Sequence, residues 1–335
     1  MKKLIVVALL MVMGFVYCSS DSQPVEEKAS DDKVELNELN GNKFIADYSI
    51  AKESVLRNIP DKYIDLARQN LHIAYQHTSH GTHVTYGLYG LQDYKDGDEL
   101  KFAVTENNSK DNKLDLRDYE MKNYAADGDD ASDLSHNETA FIQATRNYLD
   151  DVDNNEINVV MWAWCNIEGH DVEGNYLPGM KILINEYGIG GTKIGTGNGQ
   201  REEPVQFVFM TGHANQNANV GEGKSADQAK LITDYCTANK YLCLDYYSID
   251  SHCMNDNYWL DVSDDAYSDL YGGNFYKDWQ NDKVLGVDYY ENKVSPNDDV
   301  RFGAHNTQHI TANRKAYAMW WILARISGWD GQSAN

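Results

Sequence analysis

Three histidines and a serine lie close together in the segment YQHTSHGTH, which spans residues 75–83. His77, His80 and His83 recur at every third position, and Ser79 stands between the first two. Imidazole rings can hold a metal ion, whereas a serine hydroxyl served by an imidazole can act as a nucleophile. The segment alone therefore permits two chemistries, and the elements around it must decide between them.

The chain alternates between segments typical of strands and segments typical of helices. Apolar runs predict strands at 71–76, 157–165, 205–213 and 241–250, and a further possible strand at 100–104. Helical spacing of apolar residues predicts helices at 59–70, 138–151, 177–188, 226–240 and 313–329. Strands separated by helices of this length predict a parallel sheet with helices on both of its faces.

Active sites in such sheets lie beyond the carboxyl ends of the strands. The polar residues predicted at those ends are His77, Ser79, His80, Asn166, His213, Asp250 and His252. We therefore expect His77, His80, His213 and Asp250 to contact substrate. A second role is open for His77 and His80, because histidines in turns also bond the loop backbone.

A serine hydroxyl is weakly nucleophilic at neutral pH and needs a base. His309 is the best candidate, since it lies in the segment HNTQHIT just before the last predicted helix. Asn306 precedes it by three residues and could orient the imidazole through its side-chain carbonyl. These residues predict a nucleophile, Ser79, a base, His309, and an orienting group, Asn306.

The order of elements over roughly residues 70–330 resembles that of the SGNH hydrolase superfamily, which includes the GDSL lipases and esterases. This resemblance implies an α/β, flavodoxin-like three-layer α/β/α sandwich with a central parallel sheet. Ser79 matches the nucleophile that follows the first strand, although the usual GDS letters are absent. NTQH matches the family's final DxxH block in spacing, with Asn306 in place of the aspartate and His309 as the base.

The same resemblance implies an oxyanion hole and a substrate class. The segment DGDDASDL suggests Gly128 as one donor, and WAWCNIEG suggests Asn166, without the glycine that usually precedes it. The expected activity is that of an esterase removing acyl groups, such as acetyl groups, from polysaccharides or other small esters. No cofactor is expected.

Two alternatives from other functional classes stay open. One is a metal-dependent hydrolase that uses His77, His80 and His83, although no HExxH motif accompanies them. The other is a glycan-binding protein without catalysis on a decayed hydrolase fold, which the substitution at Asn306 and the incomplete Asn166 block would explain.

The first residues predict export. Lys2 and Lys3 precede an apolar run, 4–17, that ends at Cys18, and this pattern resembles a bacterial lipoprotein signal. It predicts cleavage before Cys18 and a lipid anchor in the cell envelope, at the outer membrane. Residues 19–45 are acidic and Ser-rich and predict a tether. Residues 46–335 then form a single hydrolase domain.

Charge and cysteine content exclude several classes of partner. The formal net charge of −23 argues against nucleic acid and against anionic lipid surfaces, so that membrane contact is expected through the lipid alone. The cysteines beyond Cys18 form no CxxC pair, which argues against a structural zinc site of that type. Cys236 and Cys243 are one candidate disulfide pair.

Overall fold

The computed structural model describes residues 36, 38–110 and 112–332. The predicted signal segment, 1–18, and the predicted tether as far as residue 35 lie outside the described residues. The last part of the segment predicted as a tether belongs to the fold, because Phe44 is buried. Arg325 also donates hydrogen bonds to the carbonyls of Asn40 and Lys43.

Seven parallel strands form the central sheet of the described chain. They are β1 (Ile45–Ala46), β2 (His72–Gln76), β3 (Val104–Glu106), β4 (Leu114–Asp118), β5 (Val159–Trp162), β6 (Gln206–Met210) and β7 (Cys243–Leu244). Their order is β1-β7-β6-β5-β2-β4-β3. The inner order β4-β2-β5-β6-β7 is that of flavodoxin-like sheets, which confirms the predicted fold class. A separate antiparallel pair consists of β8 (Tyr267–Ser268) and β9 (Gly273–Asn274).

Helices pack on both faces of this sheet. They are α1 (Glu53–Arg57), α2 (Asp61–Asn70), α3 (Thr82–Leu91), α4 (Asp98–Lys101), α5 (Ala140–Asp150), α6 (Leu177–Tyr187), α7 (Ser225–Asn239), α8 (Tyr246–Ser251), α9 (Phe275–Asn281) and α10 (Ile310–Ile326). Alternate side chains of the strands enter two different cores, as the pleat requires. Val159 and Met161 join α2, α3 and α10 in one core. Val160 and Trp162 join α5, α6 and α7 in the other.

Helix α10 is buried along its whole length. The sequence predicts an apolar stripe, but the cations of this helix are buried as well. Arg314 donates hydrogen bonds to the carbonyls of Ala51 and Tyr48, at 3.1 Å each. Backbone carbonyls therefore satisfy the guanidinium that the fold takes out of water. Gly87 of α3 has no room for a Cβ beside the backbone of α10, so these two helices pack closely.

Several predicted elements differ in the structure. The strand predicted over 241–250 ends at Leu244, because the Asp245 side chain accepts a hydrogen bond from the Ser248 N–H and begins α8. The strand predicted over 100–104 is wrong for most of its length, since α4 occupies its start and β3 begins at its last residue. Strand β4 lies in a polar stretch for which the sequence predicts no strand.

Candidate functional site

The carboxyl ends of β2 and β5 mark the point where the chain changes direction across the sheet. After β2 the chain forms β3 and β4 on one side of β2, and then β5, β6 and β7 on the other side. The connections therefore diverge between β2 and β5 and leave a crevice, where α/β proteins of this type bind ligands. The segment that follows β2 carries Ser79 to this crevice.

Ser79 is half-buried and opens a 3-10 turn, Ser79–Gly81, that leads into α3. Its carbonyl accepts a hydrogen bond of 2.6 Å from the Thr82 hydroxyl. A Cβ at position 81 would overlap the side chain of His77, so the turn requires glycine there. The turn that presents Ser79 is thus fixed by its own residues.

His77 braces this turn from inside the protein. It is fully buried, and its Nε2 lies 2.8 Å from the Asp118 carboxylate at the end of β4. Its Nδ1 lies 2.8 Å from the Thr78 carbonyl. Both ring nitrogens are therefore bonded within the protein, and His77 exposes no surface to a substrate in this structure. Its role is to tie β2 to β4.

His80 is the centre of a cluster of polar side chains. Its Nε2 lies 3.1 Å from the Asp264 carboxylate, and its Nδ1 lies 3.7 Å from the Cys165 thiol, which follows β5. The ring stacks on His213 with centroids 3.7 Å apart, and on His305 with centroids 4.8 Å apart. The predicted site residues His80 and His213 are thus brought together, with three neighbours that the sequence did not indicate.

The electrostatics of the cluster keep His80 neutral. Burial lowers the pKa of His80 to about 4, although the hydrogen bond to Asp264 acts in the opposite direction. Burial is also the largest influence on Asp264, and would raise its pKa. The hydrogen bond from His80 and the nearby imidazoles of His213 and His305 outweigh burial, and the pKa of Asp264 lies below its usual value. Near neutral pH the pair is an imidazole bonded to a carboxylate.

The loop before α10 is docked on the Ser79 turn. The Ala304 N–H donates to the Thr82 hydroxyl at 2.9 Å, and His83 Nε2 donates to the Ala304 carbonyl at 2.8 Å. Gly303 is required here, since a Cβ would overlap the ring of His83. His305 follows with a positive φ of 60° and is exposed. Of the stacked imidazoles, His305 is the one that solvent reaches.

His309 and Asn306, the predicted base and its orienting group, have other partners. His309 Nδ1 accepts a hydrogen bond of 3.2 Å from the Asn292 N–H, so its neutral ring carries the proton on Nε2. In that form Nε2 has no lone pair with which to take a proton from a serine. The Asn306 carbonyl oxygen accepts from the Gln308 N–H at 3.1 Å, and its amide donates to the Asp264 carbonyl at 3.3 Å.

Asp250 lies beside the His213 segment and forms a buried ion pair. Its carboxylate is 2.5 Å from the Lys315 ammonium of α10, and both side chains are almost fully buried. It also accepts from the Ala214 N–H at 3.3 Å. Burial lowers the pKa of Lys315 to about 8, against the attraction of Asp250. Asp250 is thus enclosed by Lys315 and the Ala214 backbone, and it exposes almost no surface to a substrate in this structure.

The two predicted oxyanion donors differ in their positions. Asn166 is exposed directly after Cys165, where its N–H donates to the Ser135 hydroxyl at 2.7 Å. It therefore lies at the end of β5, beside the crevice. Gly128 lies in an exposed turn after β4 with a φ of 88°, and a Cβ there would contact nothing within 4 Å. No hydrogen bond in the described part of the chain joins Gly128 to the Ser79 turn.

The three histidines of the opening segment do not converge on one point. His77 bonds Asp118, His80 bonds Asp264, and His83 bonds Ala304. Burial, helped by the positive charge of Lys315, holds the pKa of His83 well below its usual value. The structure therefore contradicts the alternative in which His77, His80 and His83 together hold a metal ion.

No family model, curated protein or solved structure matches this chain. No helix in the described residues is long and apolar enough to cross a membrane. Cys165, Cys236, Cys243 and Cys253 are free thiols, so the structure does not contain the candidate disulfide between Cys236 and Cys243.

Proposed function

We propose that this protein is a serine esterase of the SGNH type, with Ser79 as its nucleophile. The observation that carries the proposal is the pairing of His80 with Asp264, stacked against the exposed His305, beside the turn that presents Ser79. The flavodoxin-like strand order supports the proposal, because it puts this cluster at the crevice between β2 and β5.

His305 is the base in this proposal. His309 offers no lone pair at Nε2, and both ring nitrogens of His80 face neighbours, Asp264 and Cys165. His305 is exposed and belongs to the loop docked on the Ser79 turn. The negative charge of Asp264 stabilises the imidazolium that forms when His305 accepts a proton.

The reaction then takes two steps. The Ser79 hydroxyl attacks the ester carbonyl while His305 takes its proton, and the collapsing intermediate expels the alcohol, which receives that proton from His305. Water attacks the acyl-serine in the second step, with His305 as base again, and releases the acid. Asn166 is the proposed side-chain donor to the oxyanion, where one such donor contributes roughly 3 kcal/mol in other enzymes.

The proposed substrates are small acyl esters, such as acetyl groups on carbohydrates. A half-exposed nucleophile beyond the carboxyl end of an inner strand suits a short acyl group on a large alcohol. This choice of substrate rests on the resemblance to the SGNH group and on the predicted anchorage of the chain at a cell surface.

The test is hydrolysis of p-nitrophenyl acetate, with labelling by a fluorophosphonate read as a mass increase on Ser79. We expect Ser79→Ala to abolish labelling and, because the nucleophile is lost, to lower kcat/KM at least about a thousandfold. His305→Ala should cause a loss of similar size. His309→Asn is the matched control and should keep most of the activity.

Cys165→Ser separates serine from cysteine chemistry, because the thiol also faces His80. We expect Cys165→Ser to retain turnover and labelling. A folded wild-type protein that neither labels nor hydrolyses the ester would overturn the proposal, and would favour the glycan-binding alternative if it binds glycans. Activity that survives Ser79→Ala but is lost in Cys165→Ser would also overturn it.

A further inference from the structure

Two groups of side chains in the described residues bring potential metal ligands together. One consists of His80, His213 and Asp264, and the other of His72, Asp115 and Glu156. Within each group, one ligand atom from every residue lies within 4.8 Å of those of the other two. Imidazole and carboxylate are ligands that transition metals such as zinc accept. The two groups differ in what neutralises their negative charge.

The second group already contains a cation of its own. Arg117 donates hydrogen bonds of 3.1 Å to the Asp115 carboxylate and also bonds Glu156. A guanidinium that bridges both carboxylates leaves little negative charge to attract a metal ion. In the described chain no lysine or arginine forms an ion pair with Asp264, whose charge faces imidazoles instead.

His213 has the tautomer that a metal ligand bonding through Nε2 would need. Its Nδ1 lies 2.5 Å from the Ala214 carbonyl, and a carbonyl can only accept, so Nδ1 carries the proton. The lone pair of the neutral ring is therefore on Nε2. A backbone carbonyl commonly fixes metal-binding histidines in this way. The ring is buried and stacked on His80, which holds its orientation.

His80 and Asp264 are separated by nearly the distance that two ligands of one zinc ion require. His80 Nε2 lies 3.1 Å from the Asp264 carboxylate oxygen. Two ligands at about 2.0–2.1 Å from a tetrahedral zinc ion stand about 3.3 Å apart. A metal ion can thus replace the proton shared by this pair, and that proton moves to His80 Nδ1, beside the Cys165 sulfur.

The surroundings leave one side of the group open and balance its charge. His80 and His213 are buried, whereas Asp264 is only half-buried and His305 beside it is exposed. The nearest buried ammonium, that of Lys315, is already paired with Asp250 at 2.5 Å. A divalent ion would face one carboxylate and two neutral imidazoles, with a fourth position left for water.

We propose that His80, His213 and Asp264 form a binding site for a divalent transition-metal ion, and that zinc is the ion that fits its ligands best. The site differs from the histidine triplet suggested by the sequence, of which it uses only His80. Binding does not depend on the proposed esterase activity. If that activity exists, zinc should inhibit it, because Asp264 cannot both hold the ion and stabilise the His305 imidazolium.

Isothermal titration of the chelator-treated full chain with Zn²⁺ tests the site. We expect the wild type to bind one equivalent with a dissociation constant in the micromolar range or below. Asp264→Asn and His213→Ala should each weaken binding at least tenfold, because each removes a ligand. The Co²⁺-loaded wild type should absorb visible light as a tetrahedral complex, and this absorption should be lost in Asp264→Asn.

Glu156→Gln is the matched control at the other group, where the side chain is exposed and the change should leave folding intact. It should bind zinc like the wild type, and so should Ser79→Ala, which separates binding from catalysis. Circular dichroism checks each variant, and Asp264→Asn decides the matter if the change at His213 prevents folding. The proposal fails if the wild type binds no zinc, if Asp264→Asn binds as tightly, or if Glu156→Gln abolishes binding.

Discussion

At the scale of single residues, His309 should control part of the pH dependence of stability. Burial lowers its pKa to about 4 in the folded protein, from about 6.5 in the unfolded chain. Above pH 6.5 the imidazole of His309 is neutral in both the folded and the unfolded chain, and its burial then does not lower the free energy of unfolding. As pH falls from 6.5 to 4, the unfolded chain gains a proton that the folded protein does not bind. The free energy of unfolding therefore falls by up to about 3 kcal/mol.

His309→Asn should remove this part of the pH dependence of stability, since asparagine keeps an acceptor for the Asn292 N–H but does not titrate. The measurement is urea unfolding of both proteins between pH 7 and pH 4. We expect the advantage of the wild type to shrink by up to about 3 kcal/mol over that interval. Parallel profiles for the two proteins would show that His309 titrates normally.

The sequence indicated only part of the candidate site at this scale. The position of strand ends identified His80 and His213, because parallel strands carry their carboxyl ends to one edge. It could not identify Asp264, which lies in a loop of aspartates resembling any solvated segment, or His305, whose ring orientation depends on its positive φ. The spacing of Asn306 and His309 instead favoured His309, which the fold turns toward Asn292.

At the scale of elements, the buried pair of Lys315 and Asp250 links α10 to α8. The two charges are 2.5 Å apart and have almost no contact with solvent. Removing one partner leaves the other charge buried alone, which typically costs 3–5 kcal/mol. We therefore expect Lys315→Met to lower the free energy of unfolding by about that amount.

The double variant Lys315→Met with Asp250→Asn should lose less free energy of unfolding than the sum of the losses in the two single variants. The reason is that the double variant leaves no isolated charge. Urea unfolding of all four proteins gives this coupling. The exposed pair of Lys230 and Asp234 on α7 is the control, where the same changes should cost less than about 1 kcal/mol. Additive losses at Lys315 and Asp250 would contradict the predicted coupling.

The regular elements were predictable where apolar periodicity was strong, and less so where polar residues were buried. Strand β4 escaped prediction because its letters LDLRD are mostly charged. Its buried Asp115 and Asp118 are bonded by His72, at the start of β2, and by His77, just after its end, and such pairing depends on strands that are distant in sequence. The long strand predicted before α8 failed for a local reason, the cap formed by Asp245.

At the scale of the whole molecule, the predicted lipid anchor can be tested apart from the fold. Cys18 and the signal pattern lie outside the described residues. We expect the wild type, expressed in a bacterial host, to incorporate a palmitate analogue and to sediment with membranes. Cys18→Ser should be unlabelled, because the acceptor thiol is absent, and Cys165→Ser should be labelled like the wild type. Label that persists in Cys18→Ser would place the anchor elsewhere.

The two outermost strands of the central sheet are short. Strand β1 offers Ile45 and Ala46, and β3 offers only Val104–Glu106. A strand from another molecule would therefore gain very few backbone hydrogen bonds at either edge, and short edge strands are one way in which proteins avoid edge-to-edge aggregation. Crowding many copies side by side on a surface should thus not convert this sheet into a template for β-assembly.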